Sequence, residues 1–240
     1  MRVATCLSGH SRNYKDNFPN MPFETDYFIS SCMESGLPNK NTNYYVSYHS
    51  QNNVNTDIAD IDNIINLYKP KSQEFPFDKS IPREMIKYDG YKTTNNAFLT
   101  HIGMMFYRIY KANLLKKDYE FNNNFKYDFV IRSRFDIKVN ELTFDRNFLH
   151  IFYNNNMFCD LFFAGKSNII DSVSECYLWF VKQDPIYLSS FKNAEDILTY
   201  YINHLKLDEL YLNNFDITFN KDYPIEVKNI KNGIMTLYGQ

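Results

Sequence analysis

Short apolar runs alternate with amphipathic segments along this chain of 240 residues. The runs at Arg2–Leu7, Tyr27–Ser30 and Phe129–Ile131 are short and rich in β-branched and aromatic residues, as in strands buried on both faces. Between them, residues 96–115 place an apolar side chain at every third or fourth position, which predicts a long helix. The pattern predicts an α/β fold with a mostly parallel central sheet flanked by helices.

Weaker patterns complete the expected order of elements. We predict a third strand at 44–48, an edge strand followed by a loop at 151–158, and a strand at 160–165. The alternating segments at 215–219 and 225–230 predict late strands or an extended tail. Further helices are predicted at 58–68, 167–181 and 195–205, and an irregular loop at 75–95. No internal repeat or linker rich in Pro, Gly or Ser divides the chain, so we expect one domain over residues 1–240.

Composition narrows the classes of function. A formal net charge of -2 without a long basic block argues against tight binding to nucleic acid. No apolar run is long enough to cross a membrane, and the first residues do not resemble a signal peptide. The four cysteines are far apart and show no metal-ligand spacing, as expected for reduced thiols. We therefore expect a cytoplasmic protein.

Charged residues appear abruptly at the end of the strand at 129–131. Arg132, Arg134 and Asp136 follow its apolar residues. In open α/β sheets ligands bind at the carboxyl ends of strands. A guanidinium group can bind two phosphate oxygens at once, and a nearby carboxylate can hold a divalent cation that bridges the same oxygens. These three residues therefore predict a site for a diphosphate, with ordinary solvated charges as the alternative.

The first strand also ends in a polar turn. Ser8, Gly9 and Arg12 follow it, and small residues at such a turn let backbone N–H groups approach a phosphate or a base. Neither a dinucleotide-binding glycine motif nor a P-loop is present. His49 follows the predicted third strand, where an ordinary polar loop residue is the favoured explanation and a contact to the base or the ribose is the alternative.

Four segments, taken in order, resemble a family of small nucleotide-sugar-dependent glycosyltransferases with the GT-A fold, found in bacterial polysaccharide clusters and in large DNA viruses. The segments are ATCLSGHSR at 4–12, MFYRIYKAN at 105–113, YDFVIRSRFD at 127–136 and DLFFAG at 160–165. The resemblance implies a nucleotide-binding half at 1–136 and an acceptor-side half at 137–240. It also implies a nucleotide-sugar donor, with UDP favoured, and a glycan or other hydroxyl acceptor.

The resemblance further implies Mn²⁺ or Mg²⁺ at the end of the charged strand, where such enzymes usually carry Asp-x-Asp. Here Arg134 stands in place of the first Asp, which leaves Asp136 as the metal ligand. Ser8, Gly9, Arg12, His49, Arg132 and Arg134 are then the expected donor-binding residues. The substitution also allows an enzyme in which Arg132 and Arg134 balance most of the diphosphate charge.

An inverting transferase needs a carboxylate that accepts the proton of the acceptor hydroxyl. The candidates are Asp160, before an apolar strand, and Glu195 with Asp196, at a predicted helix start where acidic residues also favour the helix dipole. The sequence leaves open whether the enzyme inverts or retains configuration, and the identities of sugar and acceptor. The abundant tyrosines suit a homodimer interface or a carbohydrate-stacking surface. The alternatives are a noncatalytic nucleotide-sugar-binding relic of the fold and another metal-dependent phosphate-transfer enzyme.

Overall fold

The computed structural model describes residues 1–11, 14–18, 21, 24–32, 59–76, 82–139, 149–154, 157–205, 210–213, 215–219 and 225–229. The described strands are β1 (Val3–Gly9), β2 (Asp26–Ser31), β3 (Ser72–Glu74), β4 (Phe129–Ser133), β5 (Ile137–Val139), β6 (Leu149–Asn154), β7 (Met157–Lys166), β8 (Leu210–Asn213), β9 (Phe215–Phe219) and β10 (Ile225–Asn229). The described α-helices are α1 (Tyr14–Asn17), α2 (Ile61–Tyr68), α3 (Leu99–Asn122), α4 (Ser167–Ser174), α5 (Cys176–Phe180), α6 (Pro185–Ser189) and α7 (Ala194–His204).

Seven of the described strands form the main sheet, in the order β3-β2-β1-β4-β7-β6-β8. The first four are parallel to one another, β7 is antiparallel to both neighbours, and β6 and β8 are parallel. Strands β5, β10 and β9 form a smaller sheet. The expected α/β fold with a mostly parallel, helix-flanked sheet is confirmed. The carboxyl ends of β3, β2, β1 and β4 therefore share one edge with the amino end of β7.

Helix α3 packs its apolar side chains against this sheet. Phe106 and Ile109, from its predicted stripe, pack in one buried cluster with Cys6, Phe28 and Val130 from β1, β2 and β4. Such close-packed apolar contact is the main source of the stability of the fold. Because α3 crosses the parallel strands on this face, its polar residues are brought close to the ends of the strands.

A group of ionic side chains is buried under the amino end of β4. Lys116 is fully buried and donates to Ser167 Oγ at 2.7 Å and to Asp171 Oδ1 at 2.8 Å. Glu120, also fully buried, lies 3.5 Å from Lys116 and accepts from the Tyr127 N–H at 2.8 Å. Each charge therefore has a partner, and the group connects α3 to β4 and α4.

Two predictions of local structure were wrong. The segment predicted as an irregular loop contains a 3-10 helix at Arg83–Tyr88, whose Tyr88 hydroxyl donates to the Phe180 carbonyl at 2.7 Å. Strand β6 does not lie at an edge, because β8 pairs with it on the side away from β7. The segment predicted as helical at 167–181 is helical in the structure and is divided between α4 and α5. The predicted third strand at 44–48 lies outside the described residues.

Candidate active site

The candidate site begins where β1 and β4 end side by side. Leu7 pairs with Ser133, so Ser8 and Gly9 extend past the point where β4 ends. Gly9 adopts a φ of 98°, a conformation that side chains with a Cβ rarely take, and its carbonyl accepts a hydrogen bond from Ser31 Oγ at 2.7 Å. The turn predicted after the first strand is therefore held against the neighbouring strand β2.

Arg132 lies at the centre of this edge and is only 2% exposed. Its Nε donates to Ser8 Oγ at 3.2 Å, and its Nη2 lies 3.8 Å from Asp160 Oδ2. Its Nη1 is buried and has no hydrogen-bond partner among the described residues. Burial lowers the pKa of Arg132 to about 10, although Asp160 opposes that shift. A buried cation with an unused donor is well suited to bind an anion.

Arg134 and Asp136 form a two-point ion pair with each other. Arg134 Nε donates to Asp136 Oδ1 at 2.8 Å, and Arg134 Nη2 donates to Asp136 Oδ2. Both carboxylate oxygens therefore accept from a guanidinium, whose positive charge opposes a second cation. In this arrangement Asp136 does not fit a divalent metal ion.

Asp160 and Glu195 come together from different elements. Asp160 is near the amino end of β7 and Glu195 in the first turn of α7. The Phe158 N–H donates to Thr199 Oγ1 at 2.7 Å, which ties β7 to α7. One ligand atom each from Cys159, Asp160 and Glu195 lies within 4.8 Å of the others. The two predicted carboxylates are therefore neighbours.

Burial and neighbouring charge favour the protonated forms of Glu195 and Cys159. Burial raises the pKa of Glu195, the charge of Asp160 raises it further, and Arg134 partly opposes the shift. Burial and Asp160 raise the pKa of Cys159 to about 12, which keeps the thiol neutral. A metal ion prefers a thiolate, and Arg132 lies beside Asp160, so this group also fits a divalent cation poorly. A carboxyl group with a raised pKa is instead suited to proton transfer.

Asp196 has a different position. Its carboxylate accepts from the Lys192 N–H at 2.9 Å, while its own N–H donates to Asn193 Oδ1 at 2.9 Å. These bonds cap the start of α7. The structure therefore brings Glu195 to the acidic group and engages Asp196 at the helix end. Arg12 and His49, two predicted donor contacts, lie outside the described residues.

Cys159 is a member of the acidic group that sequence reasoning missed. Adjacent residues of a strand point to opposite faces, so its position beside Asp160 gave no signal. The pairing of β6 with β7 shifts register between Ile151 and Tyr153, close to where Cys159 lies. A shift of this kind depends on both strands and has no signature in either one.

A surface cavity of about 770 Å³ lies away from the candidate site, at the amino end of β4, and includes Lys126, Asp128, Lys166 and Asp171 in its lining.

Within the described parts of the chain, no helix is both long enough and apolar enough to span a bilayer. Comparison of the chain with protein-family models and with curated proteins produced no match.

Proposed function

We propose that this protein is a glycosyltransferase that moves a sugar from a nucleoside-diphosphate sugar, with a UDP-sugar favoured, to the hydroxyl group of a glycan or another acceptor. One observation carries the proposal. Arg132 and Arg134 meet Asp160 and Glu195 at the carboxyl edge of a mostly parallel sheet, the usual ligand edge of such folds. The set combines cations for a leaving diphosphate with a carboxyl group for a proton.

The arginines have the chemistry that the leaving group requires. When the bond between the sugar carbon and the phosphate oxygen breaks, its electron pair leaves with the diphosphate. Arg132 offers that charge a buried N–H that has no acceptor among the described residues, and Arg134 lies close enough to lower the pKa of Arg132. Fixed donors aimed at developing charge in a water-poor site stabilise a transition state strongly. We assign charge compensation to these two residues.

Glu195 has the chemistry that the acceptor requires. In an inverting reaction the acceptor oxygen bonds to the sugar carbon as its proton passes to a carboxylate, and a raised pKa brings that carboxylate nearer to the working pH. Asp160, beside Arg132, serves to hold the guanidinium in place. In a retaining reaction the same two carboxylates orient the sugar and the acceptor.

The proposal is tested in two stages. A thermal-shift screen of nucleoside diphosphates and nucleotide sugars, each with and without Mn²⁺, identifies the donor class. A ligand at a hundred times its Kd stabilises the native state by about 2.7 kcal/mol, enough for a clear shift. We expect one nucleotide class to shift the melt without a requirement for Mn²⁺. A cooperative melt that no nucleotide shifts contradicts the proposal.

The second stage measures release of the nucleoside diphosphate from the donor so identified. We expect Glu195→Gln to bind the donor normally but to turn over at least about 100-fold more slowly, a typical effect of losing a general base. Asp196→Asn removes the adjacent acid and tests which of the two carboxylates accepts the proton. Glu175→Gln, whose side chain is 45% exposed on another helix end, is the matched control. Equal turnover in all four proteins would remove Glu195 from the mechanism.

A further inference from the structure

A row of buried polar side chains extends from the candidate site towards the edge of the sheet. Ser8 of β1 is paired in register with Ser30 of β2, and both are fully buried. Ser30 Oγ donates to Glu74 Oε1 at 2.7 Å, at the end of β3. Because Arg132 donates to Ser8, the row crosses β4, β1, β2 and β3 at their carboxyl ends.

Arg108 reaches this row from helix α3 and is 3% exposed. Its Nη1 lies 3.6 Å from Glu74 Oε1, within range of an ion pair. Its Nε, Nη1 and Nη2 are all buried, and none has a hydrogen-bond partner among the described residues. Within the described part of the chain, every donor of this guanidinium is therefore without a hydrogen-bond acceptor.

A role as the counter-charge of Glu74 does not explain these unused donors. Lys111 Nζ lies 3.3 Å from Glu74 Oε2 and already supplies one positive charge, while Ser30 supplies a hydrogen bond. Arg108 and Lys111 together exceed the single negative charge of Glu74. A buried guanidinium without hydrogen bonds is costly, so the local charge and the unused donors both call for an anion.

We propose that Arg108, together with Ser30, which shares the contact with Glu74 Oε1, and Ser8, the register partner of Ser30, forms an oxyanion subsite that takes a phosphate group. The planar guanidinium can bind two phosphate oxygens at once, and Ser8 links the subsite to Arg132. The phosphate comes from the donor diphosphate or from free phosphate; the first source rests on the proposed function. Glu74, with a side chain 23% exposed, lies at the side of the subsite open to solvent.

The test measures the dissociation constants of uridine, UDP, inorganic pyrophosphate and inorganic phosphate by calorimetry, on the full chain. The variants are Arg108→Met and Arg108→Lys, and the control is Lys117→Met, a surface charge 36% exposed on the same helix. We expect Arg108→Met to weaken at least one phosphate-bearing probe tenfold or more, with no change for uridine or in the control. We also expect it to melt no lower than the wild type, because the costly unpaired donors are gone.

The probes separate the two sources. Weaker UDP and pyrophosphate binding assigns the subsite to the donor, whereas weaker binding of phosphate alone assigns it to a free oxyanion. If no nucleotide binds the wild type but phosphate binding depends on Arg108, the proposed function fails and the subsite stands. Unchanged binding of every phosphate probe in Arg108→Met overturns the subsite. If that variant does not fold, Arg108→Lys decides, because it keeps the charge and loses the fork: binding as in the wild type overturns the subsite.

Discussion

Replacing Arg132 by methionine removes a buried positive charge and keeps an unbranched, flexible side chain. Burial lowers the pKa of Arg132 from its usual 12.5 to about 10. At about 1.4 kcal/mol for each pKa unit, the protein gives up about 3 kcal/mol of stability to hold this side chain charged. Arg132→Met recovers part of that free energy but leaves the buried Asp160 carboxylate, 7% exposed, without its nearest cation.

The double variant Arg132→Met/Asp160→Asn separates these two effects. With both charges gone, we expect a free energy of unfolding equal to or above that of the wild type, since replacing a buried ion pair by uncharged groups is often neutral or stabilising. The single variant should be the less stable of the two. Urea denaturation monitored by tryptophan fluorescence or circular dichroism measures both differences.

Affinity for UDP should fall in both variants, even though the double variant is expected to be at least as stable as the wild type. Hydrogen bonds to charged groups contribute about 1.5–3 kcal/mol, so both variants should bind UDP roughly 10- to 100-fold more weakly in calorimetry. Lys166→Met is the control, because Lys166 lies at the other end of the sheet, in register with Phe129. Wild-type affinity for UDP in the stable double variant would refute the assignment of Arg132 to the diphosphate. A double variant that loses several kcal/mol would instead show that the pair serves the fold.

Three further predictions address other groups. Burial and Asp160 raise the folded-state pKa of Glu195, so the native state binds its proton more tightly, and stability falls as pH rises through that pKa. Glu195→Gln should therefore gain stability relative to the wild type as pH rises from 4.5 upwards in urea melts, and a constant difference would contradict the shift. Lys116→Met should lower the free energy of unfolding by about 3–5 kcal/mol in the same assay, because it removes the buried cation that contacts both Glu120 and Asp171 and leaves Glu120 paired with Lys126, which is 69% exposed; a loss below about 1 kcal/mol would show that the group tolerates the missing cation. Asp136→Ala releases Arg134 from its ion pair, so UDP should bind this variant at least as tightly as the wild type without Mn²⁺. If the wild type instead binds UDP only with Mn²⁺ and the variant loses that binding, Asp136 is a metal ligand after all.

Several local features were predictable from short stretches of chain. The apolar run at Phe129–Ile131 and its charged end placed Arg132 at the edge of a buried strand, where the structure has it. The period of α3 identified Phe106 and Ile109 as core. Such features depend on neighbours three or four residues away, or on alternation within one strand, so local sequence contains them.

The pairing of charges was not predictable in the same way. Arg134 and Asp136 are two residues apart, and the sequence pattern suggested a metal ligand; the structure instead joins them in an ion pair. Arg108 belongs to the helix whose apolar stripe predicted core packing, and nothing in that stripe distinguishes it from a surface arginine. Arg108 pairs with Glu74, 34 residues earlier in the chain, and this contact exists only once α3 lies across the sheet.

The chain by itself therefore determined the class of fold, the order of its main strands and helices, and the edge at which charge accumulates. The short-range period of apolar residues determines which face of each strand or helix is buried, and that period can be read from the sequence. Only the tertiary structure decided which carboxylate meets which arginine, and that Glu195 joins Asp160 while Asp196 caps a helix. It also decided that the guanidinium of Arg108 has no hydrogen-bond acceptor among the residues that the structure describes. Those outcomes depend on distances between elements far apart in the chain, which strand order, register and helix packing set together.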